Sequence, residues 1–181
     1  VLEAKKALEQ TDGNFDKAVD ILREKGAARA LKRADRAAKE GLVELYAHPG
    51  SRVGVMLELN CETDFVGRTE QFRELAHNLA LHIAAANPIC VSDDQVPEAD
   101  VQKEREIYAA QMADQKKPPE IMAKIIDGKI GKWMDETVLL RQTYVRDNDI
   151  TVGDMVKRSM AELGENIVVR RFVRFALGDK E

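Results

Sequence analysis

Between Gly41 and Leu59 the hydrophobic period of this chain falls to two, a spacing that no helix satisfies. Val43, Leu45 and Ala47 recur at alternate positions, Pro49-Gly50 interrupts them, and Val53, Val55, Leu57 and Leu59 resume the alternation. Side chains two apart share one face of a strand, so these residues predict a β-hairpin with one buried face. A lone hairpin is marginal in water and needs a further element over its apolar side. The chain supplies one directly afterwards. From Thr69 onward, Phe72, Leu75, Ala76, Leu79, Ala80, Ile83 and Ala84 form a single helical stripe that Asn87-Pro88 stops.

Helical spacing dominates elsewhere. Val1 to Gln10 reads as the end of a helix, broken by Thr11-Asp12-Gly13-Asn14, and Phe15, Ala18, Val19 and Leu22 mark a second helix with Gly26 as its stop. Two helices of that size cannot hold a core, so another helix is expected ahead of Val1. Residues 27–40, rich in Ala, Lys and Arg, are expected as a helical or partly ordered linker. Ile89 to Val91 reads as a short strand or an extended stretch, Pro97 opens a helix to about Asp114, and Lys116-Lys117-Pro118-Pro119 separates it from a further helix that runs through Met134. Val138 to Val145 is expected to be extended or irregular. Thr151 with Asp154 three residues on has the form of a helix N-terminus, and that helix stops at Gly164. Ile167 to Leu177 closes the chain as a long strand carrying Val168, Val169, Phe172, Val173 and Phe175. The order predicts an α+β fold, a small antiparallel sheet packed by helices. Its parts are a helical module over 1–26, a linker over 27–40 and a core domain over 41–181.

Several function classes lose support on composition. The 181 residues carry 28 basic and 32 acidic side chains, net charge −4, which is not the clustered basic surplus of a protein that lives on phosphates. No apolar run approaches the roughly 20 residues that span a bilayer, and no signal-like segment opens the chain. Cys61 and Cys90 make no disulfide framework and read as two reduced thiols of a cytosolic protein.

Catalytic constellations are equally thin. Of His48, His77 and His82, the last two are five apart on one helix and face different ways. No His-Glu-x-x-His or Cys-x-x-Cys accompanies them, so no metal site is expected. Cys61 stands beside Glu62 and Asp64, acids that raise a thiol pKa rather than activate it. Gly128-Lys129 and Gly131-Lys132 lack the spacing of a phosphate loop. The expectation is a protein that is not an enzyme and carries no cofactor. One segment stands out: where the second strand ends and the amphipathic helix begins sits Asp64-Phe65. Spacing alone leaves two readings. In the commoner arrangement Phe65 closes the core and Asp64 caps the helix; in the other the pair projects outward as a wedge.

The residues around that pair resemble a known family. Asn60-Cys61-Glu62-Thr63-Asp64-Phe65-Val66 is similar to the signature of elongation factor Ts, in which a Thr-Asp-Phe-Val loop follows a strand. The likeness extends in order along the chain. It takes in Lys5-Lys6-Ala7-Leu8 with Gly13 and Lys17-Ala18, Glu40-Gly41, Lys117-Pro118 with Glu120-Ile121, Gly128-Lys129, Glu136, Leu139-Leu140 with Gln142, and Arg171-Phe172-Val173-Arg174-Phe175. The resemblance implies a guanine-nucleotide exchange factor for elongation factor Tu in translation elongation, acting in the cytoplasm. It implies that Thr63, Asp64, Phe65 and Val66 disturb the Mg²⁺ site of that partner. It also implies that a ubiquitin-associated-like N-terminal module, truncated here by its first helix, touches the partner through Val1, Leu2 and Lys5, where the family often has Met-Met at the first two. Long members have a duplicated core; one copy here implies a homodimer through a sheet surface. Neither nucleic acid nor membrane is implied as a direct partner. The rival readings are an adaptor that binds protein without affecting nucleotides, a hydrolase using Asp64 and His77, and an RNA binder using Arg170, Arg171 and Arg174.

Overall fold

A computed structural model of the chain describes residues 2–113 and 118–179. In chain order the elements are α1 (Leu2–Gln10), α2 (Phe15–Arg33), β1 (Glu40–Ala47), β2 (Val53–Cys61), the single turn α3 (Asp64–Gly67) and α4 (Glu70–Ala86). They continue as α5 (Glu98–Gln111), α6 (Pro119–Thr137), β3 (Thr143–Tyr144), β4 (Asp147–Thr151), α7 (Val152–Leu163) and β5 (Val168–Ala176). The fold is α+β as expected. β1, β2 and β5 form an antiparallel sheet in that order, and β3 pairs with β4 in a small ribbon that the sequence reading missed.

The hairpin forms where the period of two places it, but β1 turns the opposite face inward. Leu42 lies opposite Leu59, Glu44 opposite Leu57 and Tyr46 opposite Val55, so these residues of β1 share the buried side. Val43, Leu45 and Ala47 point outward, opposite Glu58, Met56 and Gly54. The expectation that they form the buried face is therefore corrected. The reason is that both faces carry apolar residues: Met56, Val173 and Phe175 stand on the outer side as well, so alternation in β1 follows the exposed row. A one-residue change of parity moves every side chain to the other face. Strand β5 reconciles its own irregular pattern with a bulge. Glu58 pairs with Arg171 but Leu59 with Val169, leaving Arg170 as the extra residue. Val169 and Phe172, three apart, thereby reach the same inner face.

Helix α4 lies on that inner face. Its N-terminus is closed by Thr69, whose hydroxyl accepts from the Phe72 amide at 3.2 Å, and its end by Asn87 in the left-handed region at φ 48°. Phe72, Leu75, Ala76, Leu79, Ala80 and Ile83 are buried there against Val55, Leu57, Leu59 and Val169. Truncating Phe72, which is fully buried, to alanine would cost ~3–5 kcal/mol. Helix α7 completes the core with Val152, Val156 and Met160. Its capping box is present in full: the Thr151 hydroxyl accepts from Asp154 N at 3.1 Å, and the Asp154 carboxylate from Thr151 N at 3.4 Å.

The second helix does not stop at Gly26. It runs to Arg33, through Ala27-Ala28-Arg29-Ala30-Leu31, a run of good helix formers. A Cβ on Gly26 would sit 3.5 Å from that of Ala161, so the glycine lets α2 lie close against α7. Arg33 closes the contact by donating to the Met160 carbonyl at 3.2 Å. The pair α5 and α6 stands apart by comparison. No described residue of α5 is buried, α6 buries only Ile130, and the Arg105–Asp127 ion pair at 2.6 Å bridges them. Gly128 and Gly131 lie inside α6 and not in a loop. No helix among the described residues is long and apolar enough to cross a membrane.

One buried polar node ties these layers together. His82 is fully buried; its Nδ1 accepts from Val145 N at 3.3 Å, so Nε2 carries the proton and donates to Gln142 Oε1 at 2.9 Å. Gln142 passes its own amide protons to the carbonyls of Glu136 and Ala86. Burial pushes the imidazole below its ordinary pKa of 6.5, against a smaller opposing effect of Gln142. The unfolded chain takes up this proton first as pH falls, so the stability held by neutral His82 is complete above 6.5 and drains away below it. Urea unfolding at about pH 7.5 and about pH 5.5 is expected to show a loss of stability on acidification. In His82→Leu that loss is expected to be smaller, from a baseline ~1–3 kcal/mol lower.

Candidate functional site

The end of β2 is built to hold a short projection. Cys61 is fully buried and is the last residue of the strand; the chain then leaves the sheet, makes the one turn of α3 and enters α4. Thr63 caps that turn, its hydroxyl accepting from Val66 N at 3.4 Å, and Thr69 caps the next helix only six residues later. Two caps so close leave the segment little freedom between them. The reading in which Asp64 caps the helix is corrected: Thr63 caps the turn and Thr69 caps α4. The Asp64 carboxylate instead meets Arg68 at 2.9 Å on the surface, a pair of small energetic value.

Phe65 sits at the tip with 81% of its surface in water. The outward reading of the Asp64-Phe65 pair is therefore the one that holds, and Phe65 does not close the core. An aromatic ring left in water forgoes the ~1.5–3 kcal/mol that burial elsewhere would give it. The base below the ring is tight. A Cβ on Gly67 would stand 3.4 Å from Gly41 Cα and 3.5 Å from Cys61 Sγ, so the turn is seated directly on the start of β1. Gly41 itself has φ 139°, and a Cβ there would lie 2.1 Å from the Leu59 carbonyl oxygen.

The other side of the base is held by residues that sequence reasoning did not single out. One oxygen of Glu165 accepts from the amides of Glu62 and Thr63, each at 3.1 Å, and the other accepts from the Thr63 hydroxyl at 2.6 Å. Glu62 answers by accepting from Asn166 N at 2.6 Å. The signal in the sequence was faint: two polar residues, Glu165-Asn166, wedged between a helix stop and a buried strand. Cys61 lies within this frame, its pKa pushed up to about 11 by burial and then by the Glu165 carboxylate. The acids that matter to it are thus not the adjacent Glu62 and Asp64 of the sequence reading. It is no nucleophile at neutral pH.

The N-terminal positions lie elsewhere. Leu2 is exposed, and Lys5 is exposed and within 3.8 Å of Glu9; both belong to α1, which packs on α2, and neither is brought to Phe65 by a described contact. Val1 is outside the described residues, as is Lys117. His77 faces Glu44 at 3.2 Å on one side of α4, and buried His82 serves the core on another. Asp64 and His77 have separate partners and form no pair. Of the three arginines of β5, Arg171 meets Glu58 at 2.7 Å and Arg174 meets Asp179 at 3.1 Å, so two of them pair with acids. Among the described residues no group of three His, Cys, Asp or Glu side chains could hold a metal ion.

The site is thus a braced turn that holds a bare aromatic in water above an unreactive thiol. The chain belongs to the elongation factor Ts family: the family model "Elongation factor TS" matches residues 2–179. Elongation factor Ts of Herpetosiphon aurantiacus is 50% identical over 178 residues, covering 98% of this chain and 90% of the relative. That of Syntrophus aciditrophicus is 45% identical over 180 residues, 99% and 90%, and that of Thermotoga neapolitana 49% identical over 180 residues, again 99% and 90%. Membership places the chain among the nucleotide-exchange factors of translation elongation.

Gly41→Ala is expected to disturb the seat of the turn. The clash with the Leu59 carbonyl forces strand and turn apart, at a cost of ~1–3 kcal/mol in urea unfolding.

Proposed function

We propose that the protein speeds GDP release from elongation factor Tu by inserting Phe65 into the GTPase domain of its partner. The observation that carries the proposal is the exposure of that ring on a base fixed from both sides. Thr63 and Val66 frame the turn, and Asp64 stands beside the ring as a charged companion. The action needs no covalent step. A factor that binds nucleotide-free partner better than nucleotide-bound partner must weaken nucleotide binding by the same ratio. Seating one Phe in an apolar slot supplies ~1.5–3 kcal/mol, which is roughly 10- to 150-fold at ~1.4 kcal/mol per decade. The efficient target for that energy is the Mg²⁺ ion of the partner, the largest local charge holding the diphosphate. The 1–26 module, through Val1, Leu2 and Lys5, adds a second contact on the same domain, and the 41–181 core carries the turn.

The protein works in the cytoplasm, where translation runs, as a homodimer. Support for the dimer comes from the outer face of the sheet, where Val43, Leu45, Met56, Val173 and Phe175 are all exposed and none of the described helices covers them. A second copy of the same face would bury them, and an interface of that kind is self-complementary by symmetry.

Phe65→Ala is expected to keep its fold, with stability changed by no more than ~0.5 kcal/mol, because most of the residue is in water. GDP release from elongation factor Tu, followed with a fluorescent nucleotide, is expected to slow about tenfold or more. Normal release by that variant would count decisively against the wedge. An adaptor without effect on nucleotides would leave GDP release unchanged even as the unmodified protein. For the dimer, Leu45→Glu with Phe175→Glu is expected to shift sedimentation from twice the 20.3 kDa chain mass to the chain mass itself. The unmodified protein sedimenting as a monomer at high concentration would remove it.

A further inference from the structure

We infer that Glu165 is the positioning residue of the Thr63–Val66 turn, setting the direction in which Phe65 points; this rests on the exchange role proposed for that turn. The turn's own bonds, from Gly67 N to the Thr63 carbonyl and from Arg68 N to the Asp64 carbonyl at 3.2 Å each and from Val66 N to the Thr63 hydroxyl at 3.4 Å, fix its shape. They do not fix how that shape is set on the rest of the chain. On the side away from Gly41 a single carboxylate does so. Three donors from two consecutive residues converge on Glu165: both backbone amides at 3.1 Å on one oxygen, and the Thr63 hydroxyl at 2.6 Å on the other. Bonds to a charged acceptor are about twice as strong as neutral ones, and two amides with a hydroxyl define a plane as well as a distance.

Glu165 is itself anchored in the core. Gly164, in the left-handed region at φ 78°, ends α7 and turns the chain so that Glu165 emerges at once from a helix pinned by Val156 and Met160. The clasp is reciprocal, because Glu62 accepts the Asn166 amide at 2.6 Å. It also reaches the end of α2: the Asn166 side chain donates to the carbonyls of Ala34 at 3.1 Å and Arg36 at 2.7 Å, and Arg36 lies 3.5 Å from Glu62. The turn and the segment leading from the N-terminal module thus share one node, built around Glu62, Glu165 and Asn166.

Three variants with the full chain test this, alongside unmodified protein and Phe65→Ala. In Glu165→Ala, amide hydrogen exchange at Glu62 and Thr63 is expected to rise at least about tenfold, with the melting midpoint little changed. The maximal rate of GDP release at saturating factor is expected to fall about tenfold, while the factor concentration giving half the effect moves less than about twofold. In Glu165→Gln the amide oxygen keeps the two backbone donors and its NH₂ meets the Thr63 hydroxyl oxygen, so much of the rate should return. Glu165→Asp, one methylene short of the turn, should behave like the alanine variant. Glu165→Ala with unmodified release and unmodified amide protection overturns the inference. So does a variant that melts far earlier and is not improved by glutamine, which would mark a residue needed only for folding. An unmodified protein that leaves GDP release unchanged overturns the exchange reading together with this one. Release lost in Phe65→Ala but kept in Glu165→Ala overturns this one alone.

Discussion

The packing of α4 on the inner face of the three-stranded sheet is the contact on which the remaining structure depends. Phe72, Leu79 and Ile83 meet Leu57, Leu59 and Val169 across that interface, all of them buried. Because β2 is the central strand, its end at Cys61 and the start of α4 are fixed by the same contact, and the few residues between them have no room to wander. The turn that carries Phe65 is thus a by-product of joining two rigid elements by a short connection. Loops that act are usually small pieces held by a stiff scaffold, and here the stiffness is supplied by apolar burial on one side and a carboxylate on the other.

The two sides differ in kind. Towards β1 the fit is steric: Gly41 and Gly67 remove side chains so that backbone can meet backbone over the Cys61 sulfur. Towards the start of β5 it is electrostatic, with Glu165 and Glu62 each satisfying main-chain donors of the other segment. A half-buried polar arrangement of this sort costs little when every donor is met, and it is directional in a way that apolar packing is not. The node around His82 and Gln142 plays a comparable part deeper in the core, joining α4 to the segment that follows α6.

Local pattern made much of this legible. The period-two stretch located the hairpin, the stripe from Phe72 to Ala84 located α4, and Thr151 with Asp154 located the N-terminus of α7 to the residue. Family likeness, not spacing, pointed to Phe65 as an outward group, since spacing favoured a ring turned inward. What pattern could not give was parity and distance. In β1 both rows of side chains contain apolar residues, and only pairing with β2 decides which row is covered. Glu165 escaped because its partners lie about a hundred positions away and no local motif announces a bond across that gap. The ribbon of β3 and β4 was hidden by its own polarity: Asp147-Asn148-Asp149 carries no hydrophobic alternation to read. Gly26 misled for the opposite reason, a helix breaker by composition that serves instead as a point of close approach to Ala161.

The bareness of Phe65 means that folding exerts no pull on that position. Selection for heat resistance or for expression would pass over it, and any redesign aimed at a more water-loving surface would strike it out first and be rewarded with a better-behaved sample. Only a contact outside the molecule gives the ring a favourable place, so the stability of the fold and the exchange role proposed for Phe65 draw on different parts of this chain.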